Sequence, residues 1–120
     1  MINKTLLEFD TCVQQKNIRD KNSGKTWKRT YLYLQRDFLS LFKGVQEFYC
    51  KWLENETGRK ILLVPDEMPY ARKVTPEIRE SGIVVFMPTY HVRLFGISKG
   101  SKIHVKIVEF NGKNGLVLSV

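Results

Sequence analysis

Lysine and arginine side chains are concentrated in two parts of this sequence, where their shared chemistry would be the binding of anions. Between residues 16 and 29, six of them stand against one acid, which gives a net charge of +5. Residues 72–120 hold eight against three acids, another +5, whereas the remaining segments are each −1 and the whole chain carries +8. Concentrated positive charge is typical of nucleic-acid-binding proteins, because each neutralised phosphate releases condensed counterions. A solvated basic surface is the simpler alternative.

The basic segment 16–29 is the strongest candidate for contacts with a phosphate backbone. A Lys/Arg ribbon with an aromatic side chain at Trp27 can follow phosphates or enter a groove. The alternative is a solvated hairpin tip with Trp27 in the core. The predicted contact residues of this segment are Lys16, Arg19, Lys21, Lys25, Lys28 and Arg29.

Other reactive side chains lack the spacing that catalysis or metal binding requires. His91 and His104 have no partner at ligand spacing. Cys12 and Cys50 form no CxxC pair, and we predict that both are buried structural thiols. No phosphate-cradling glycine loop occurs, and nothing in the sequence pairs the carboxylates of Asp10, Asp37, Asp66 and Glu67. We therefore predict no catalytic residue, no metal site and no cofactor.

Length and composition are typical of one folded domain. The chain has 120 residues, of which 42% are hydrophobic and 12% aromatic, so it can bury one core and is not disordered. No apolar run approaches the roughly 18 residues of a membrane span. The amino terminus carries acids where a signal peptide would be apolar. We expect a single domain over residues 1–120, cytoplasmic and without a membrane partner.

The elements that would position these side chains are mainly strands. Alternating and β-branched patterns predict strands over 5–13, 27–34, 45–53, 60–64, 83–87, 101–110 and 116–120. Apolar residues at helical spacing predict two short helices, at 35–43 and 88–96. Turn residues predict a hairpin tip near 22–24 and a turn at 55–58. Three prolines mark a connector over about 65–80 that should stay out of the sheet interior.

Two stretches of the chain resemble each other. Residues 31–42 align with 84–95 at an offset of 53, and residues 49–64 align with 105–120 at an offset of 56. In each copy a strand, a short helix, a long strand, a turn and a closing strand follow in order. Such self-similarity indicates repeated units. We predict repeat one over about 27–65, repeat two over about 82–120, and a pseudo-twofold barrel around a shared core.

The second copy resembles the AbrB/SpoVT swapped-hairpin family over about 40 residues. The resemblance rests on a strand ending in a proline, a short helix ending in Leu-Gly-Ile, a Lys-Gly turn and two further strands. The matching residues are Val84, Val85, Pro88, Leu94, Gly96, Ile97, Lys99, Gly100, Ser101 and the segments 102–105 and 116–120. The resemblance implies a cradle-loop-type barrel, swapped-hairpin or double-psi-like, and the two repeats are similar to the arrangement in MraZ-type proteins.

The resemblance also implies a function, that of a non-enzymatic DNA-binding transcription regulator. The family contacts DNA around the first strand and the short helix, which implicates Arg93 on the helix and Arg79 just before the strand. Arg72 and Lys73 would join them if the connector folds over the same face. DNA is the expected partner, with RNA or an acidic protein as alternatives, and the protein would be a monomer or a homodimer.

Two other classes of function fit the sequence less directly. One is a protein-interaction module, such as an antitoxin-like partner or a viral or plasmid-encoded inhibitor of a host factor. Its mark would be a stable complex with an acidic protein and indifference to DNA. The other is a small ligand-binding or enzymatic barrel, which would show an enclosed apolar pocket containing a perturbed ionisable residue.

Overall fold

The structure is a computed structural model that describes residues 2–55 and 58–119. These residues form ten strands and two short helices, so the fold is mainly β, as predicted. In chain order the elements are β1 (Ile2–Cys12), β2 (Gln14–Arg19), β3 (Thr26–Gln35), a 3₁₀ helix (Arg36–Phe42), β4 (Phe48–Asn55), β5 (Gly58–Val64), β6 (Arg72–Val74), β7 (Glu77–Arg79), β8 (Gly82–Phe86), α1 (Thr89–Leu94), β9 (Lys102–Phe110) and β10 (Lys113–Ser119).

The described strands form two antiparallel sheets. The larger sheet has the order β1-β9-β10-β5-β4-β6, and the smaller has the order β2-β3-β8-β7. Both orders are symmetric between the two halves of the chain. If each strand is replaced by its counterpart five strands away (β1 by β6, β2 by β7, and so on), the order of each sheet is reproduced in reverse. Strands β1 and β6 are thus counterparts at opposite edges of the larger sheet.

The two halves of the chain meet along four strand pairings, and in two of these a strand pairs with its own counterpart. Strand β3 pairs with β8, where Leu32 is opposite Val85, and β5 pairs with β10, where Leu62 is opposite Val117. Leu32 and Val85 are both 0% exposed. The offset of 53 in the sequence aligns these same two residues with each other. Here a strand pairs antiparallel with its own counterpart, and the pairing is centred on residues that the repeat aligns. Such a contact is self-complementary, as in a twofold interface.

The hydrophobic core draws on both halves of the chain. Ile103, Val105 and Ile107 alternate along β9 and are buried, as their period of two predicted, while His104 and Lys106 between them are half-buried. Their neighbours in the same buried cluster come from both sheets and include Leu32, Leu34, Phe42, Phe48, Ile61, Leu63, Ile83, Val85, Leu116 and Leu118. Burial of these side chains is the main force that holds the two sheets together.

The predicted closed barrel is not present in the described part of the chain. The larger sheet ends at β1 and β6 and the smaller at β2 and β7, and the ladder does not continue from one sheet into the other. The physical reason is that the edge strands β6 and β7 are only three residues long, too short to continue the ladder around a closed wall. Two open sheets packed on one core therefore replace the barrel.

The predicted connector over 65–80 contains two short strands that were not predicted. Strand β6 pairs with β4 and strand β7 pairs with β8. Both lie at sheet edges, the place where prolines such as Pro69 and Pro76 can flank a strand without removing a ladder hydrogen bond. By strand order, β1 and β2 in one half correspond to β6 and β7 in the other, and these strands lie outside the predicted repeats at about 27–65 and 82–120.

Parts of two predicted features fall outside the described residues, namely residues 56 and 57 of the turn at 55–58 and the final residue of the strand over 116–120. Within the described residues, no helix is both long enough and apolar enough to cross a membrane.

Candidate functional site

The basic segment 16–29 forms a hairpin of strands β2 and β3. Lys16 and Arg19 lie on β2, Lys28 and Arg29 lie on β3, and Lys21 and Lys25 lie in the turn between the strands. All six are exposed. Among the described residues, none of these six cations forms an ion pair with a carboxylate. The hairpin therefore presents its charge to solvent uncompensated.

The single acid of the segment, Asp20, is used by the turn. Its carboxylate accepts hydrogen bonds from the backbone N–H of Asn22 at 2.9 Å and from the hydroxyl of Ser23 at 2.9 Å. These hydrogen bonds, the one from Asn22 first, hold the pKa of Asp20 below its ordinary value. Gly24 has a positive φ of 70° and donates to the Asp20 carbonyl. Asp20 thus fixes the turn and does not neutralise the neighbouring lysines.

Strand register places two cations directly opposite each other. Lys16 is the partner of Arg29, and Ile18 is the partner of Trp27. The alternate residues of β3, from Thr30 to Leu34, are buried, so these pairs lie on the face of the hairpin away from the core. Trp27 is 47% exposed, so its alternative placement in the core is wrong. Like charges directly opposite are destabilising in a sheet, and a bound anion would remove this repulsion.

Arg29 joins the hairpin to a groove on the neighbouring strand. Its guanidinium carbon lies 3.9 Å from the ring centroid of Phe86 on β8, and Tyr31 packs edge-on against the same ring at 5.8 Å. A cation over an aromatic face is held by the ring's quadrupole. The groove has a volume of about 530 Å³, and its charged lining residues are Arg29, Arg72, Lys73 and Glu77.

Arg72 and Lys73 reach this groove from β6, whereas the sequence had suggested that they would join Arg79 and Arg93. Lys73 forms an ion pair with Glu47 at 3.6 Å, but its side chain is still largely exposed. Arg72 forms no ion pair with any described carboxylate. The groove therefore holds three cations against Glu77, and two of the three come from a part of the chain far from the hairpin.

Arg79 and Arg93 do not line this groove. Arg79 lies on β7 and forms an ion pair with Glu77 on the same strand. Arg93 lies exposed on α1. Of the ten predicted contact residues, eight are thus on the hairpin or at the adjoining groove, and these two lie elsewhere. Phe86 was missed in the sequence, because only the pairing of β3 with β8 places its ring under Arg29.

Strand pairing gives one histidine the partner that sequence spacing did not reveal. His104 on β9 is opposite Asp10 on β1, and its Nδ1 lies 2.7 Å from a carboxylate oxygen of Asp10. This hydrogen bond is the largest cause of a lowered pKa for Asp10, and the nearby Lys102 adds to it. The contact is exposed, and it fastens the edge strand β1 to β9.

The two cysteines differ in environment, which corrects the prediction that both are buried. Cys12 is exposed at the end of β1, whereas Cys50 is buried in the core. Burial raises the pKa of the Cys50 thiol to about 12, so it is inert. In the described part of the chain, no group of three His, Cys, Asp or Glu side chains could hold a metal ion.

No model of a known protein family matches the chain, and neither a curated protein nor a solved structure is significantly similar to it. The site must therefore be interpreted from its own geometry.

Proposed function

We propose that the protein binds nucleic acid without catalysis, with duplex DNA as the main partner, through a single basic surface. This surface consists of the β2–β3 hairpin and the adjoining groove, and its eight cations are Lys16, Arg19, Lys21, Lys25, Lys28, Arg29, Arg72 and Lys73. The observation that carries the proposal is the position of Arg29. It belongs to the hairpin, whose cations form no ion pair with a described carboxylate, and it also lines the groove with Arg72 and Lys73.

The shape and charge of this surface support a phosphate backbone as its ligand. A two-stranded ribbon can enter the major groove of B-DNA, and exposed lysines along it can reach phosphates on either side. Arginine guanidinium groups at the groove could bind phosphate oxygens in bidentate fashion. Such contacts give affinity and register, and sequence preference would then come from DNA shape as well as from base edges.

At the opposite edge of the larger sheet, the cations of β9 are already paired with acids, which supports one binding surface over two. Strand β1, the counterpart of β6, presents Glu8 and Asp10, and these pair with His104, Lys102 and Lys106 of β9. Lysines that are already engaged by carboxylates have less net charge to offer a phosphate. The two halves share their strand order, but the edge with Arg72, which forms no ion pair with a described carboxylate, is the one better suited to an anion.

The strand order and the local resemblance support the same family assignment. A chain whose sheets read the same from both edges is what duplication of one strand-rich unit produces. We therefore include in the proposal an origin from two AbrB/SpoVT-like repeats, a cradle-loop-type architecture related to that of MraZ-type proteins, and a role in transcription regulation. In this view, Arg79 and Arg93 would provide secondary contacts outside the groove.

Charge reversal in the hairpin tests the proposal. We expect the triple variant Lys25→Glu, Lys28→Glu, Arg29→Glu to bind duplex DNA at least about tenfold more weakly, since each lost phosphate contact lowers affinity for all sequences. Because the three side chains are exposed, thermal unfolding should change little. Lys99→Glu, in the exposed turn before β9, is the single-charge control and should bind within about twofold of the parent. Unchanged binding by the triple variant, or tighter binding to polyglutamate than to DNA, would reject the proposal.

A further inference from the structure

A second groove adjoins the first and has a different character. It has a volume of about 490 Å³, and its lining residues are Lys51, Trp52, Tyr70, Arg72, Tyr90 and His91. Arg72 lines both grooves, so it lies at their junction. Three of the six side chains are Trp or Tyr and two are cations. We name it the aromatic groove.

Tyr70 is held in an unusual backbone conformation beside this groove. It follows Pro69 in a turn closed by a hydrogen bond from the Ala71 N–H to the Met68 carbonyl, and its φ is +62°. Proline followed by a positive φ is the geometry of a type II turn, in which glycine or asparagine is favoured at the second position. A tyrosine at this position is strained, and strained residues that persist are concentrated at binding sites.

The tyrosine ring gains nothing from the fold to offset this strain. Tyr70 is 98% exposed, and Tyr90 on α1 is 59% exposed. Two large rings at one groove leave apolar faces in water, and covering those faces with a flat ligand would be favourable. The sequence and the turn therefore present Tyr70 to a partner and do not use it to stabilise the fold.

His91 lies at the wall of the groove and is almost wholly buried. It is 4% exposed, and its Nδ1 has no hydrogen-bond partner among the described residues. Burial, with a smaller contribution from Arg72, lowers its pKa and favours the neutral imidazole. Buried polar atoms without partners are rare, because each loses its hydrogen bonds to water. Nδ1 itself is enclosed by the fold, so His91 adds to the groove only through the part of its ring that lines the wall.

We infer that the aromatic groove takes an unpaired base of the bound nucleic acid, while the phosphates of the same strand lie along Arg72, Lys73 and Arg29. This inference rests on the proposed function and specifies its ligand. Bases of any sequence stack on aromatic side chains, and basic residues beside the rings hold the backbone. A base inside an intact duplex is already stacked, so the groove discriminates in favour of DNA with an unpaired base.

The test compares two DNA probes of similar charge, a blunt duplex and the same duplex with one unpaired thymine. We expect the parent protein to bind the second probe about fivefold more tightly or better, which corresponds to the stacking of one base. Tyr70→Gly should abolish this preference and leave the affinity for the blunt duplex unchanged. Because glycine suits a positive φ, the variant should unfold at the same or a higher temperature, so a folding defect cannot explain the loss.

Matched variants complete the test. Tyr70→Phe keeps the ring and should keep the preference, and Tyr90→Ala should reduce it. Leu7→Ala changes an exposed apolar residue of β1, at the far edge of the larger sheet, and should behave as the parent. Equal affinity for the two probes, or a preference that survives in Tyr70→Gly, would overturn the inference alone. Failure of the parent to bind either probe would instead overturn the proposed function.

Discussion

The contact between Arg29 and Phe86 joins the two halves of the chain and also lies at the candidate interface. The guanidinium carbon of Arg29 lies 3.9 Å from the ring centroid of Phe86, and the two residues belong to β3 and β8, the strands that pair at the centre of the smaller sheet. The ring thus fixes the direction of a cation that lines the groove. Pairing of the two halves and formation of the site depend on the same strands.

Replacement of Phe86 by leucine should separate the role of the ring from that of its volume. Leucine remains apolar and nearly fills the space, so the free energy of unfolding should fall by less than about 1.5 kcal/mol. The loss of the aromatic face should lower DNA affinity by about two- to fivefold, the equivalent of one exposed cation–π contact. Fluorescence titration with duplex DNA, together with a urea melt, would measure both. An affinity unchanged in Phe86→Leu would show that the ring does not position Arg29 for binding.

Reversal of the charge at Lys16 should raise the stability of the fold and weaken the binding of DNA. Lys16 is opposite Arg29, so Lys16→Glu replaces a like-charge pair with an opposite-charge pair and should raise the free energy of unfolding by about 0.2–1 kcal/mol. The same change should weaken DNA binding, because it removes one phosphate contact and engages Arg29 with a carboxylate. Calorimetry and a binding titration on one preparation give both values. A variant that is less stable, or that binds as well as the parent, would argue against the arrangement.

The contact between Asp10 and His104 should make stability sensitive to acid. The hydrogen bond lowers the folded-state pKa of Asp10 below its ordinary value of 3.8. Its contribution is therefore present above pH of about 4 and is lost as pH falls through the lowered value. Urea melts between about pH 5 and about pH 2.5 should show a gap in free energy of unfolding between the parent and Asp10→Asn that narrows as pH falls. A gap that is constant or widens towards low pH would contradict the contact.

The strand pairing between the halves predicts one cooperative unfolding transition. Leu32 and Val85 are opposite each other in the core. Leu32→Ala should lower the free energy of unfolding by about 2–5 kcal/mol, and Val85→Ala should shift the same transition in the same direction. Tryptophan fluorescence reports on the first half alone, where both tryptophans lie, whereas circular dichroism reports on the whole chain. Different midpoints by the two probes would show that the halves unfold independently.

Local pattern was sufficient to predict most elements of this fold. The alternation along β9, the turn residues of the β2–β3 hairpin and the helical spacing of residues 88–96 each predicted the element that forms. Strand β2 was missed because Gln14–Arg19 is almost entirely polar. Strands β6 and β7 were missed because three-residue edge strands between prolines have too few residues to show a period. The prediction of a closed barrel was wrong for a related reason, because closure depends on long-range strand pairing that no local pattern encodes.

The candidate site was predicted in part. Charge alone identified the cations of the hairpin, and their exposure follows from the polarity of the segment. The meeting of Arg29 with Arg72 and Lys73 depends on the pairing of β4 with β6 and of β3 with β8, which the sequence did not indicate. Tyr70 carried a detectable signal, an aromatic residue after proline where a turn favours glycine, but the prolines of that segment predicted only a connector.

The most direct test of the proposed basic surface is the affinity for duplex DNA measured from about 50 to about 200 mM salt. If about half of its eight cations contact phosphates, the logarithm of the binding constant should fall with the logarithm of salt concentration with a slope of about −3 to −4. The slope should be shallower in Lys25→Glu, Lys28→Glu, Arg29→Glu. Binding that does not weaken as salt rises, or a triple variant with the slope of the parent, would contradict the account.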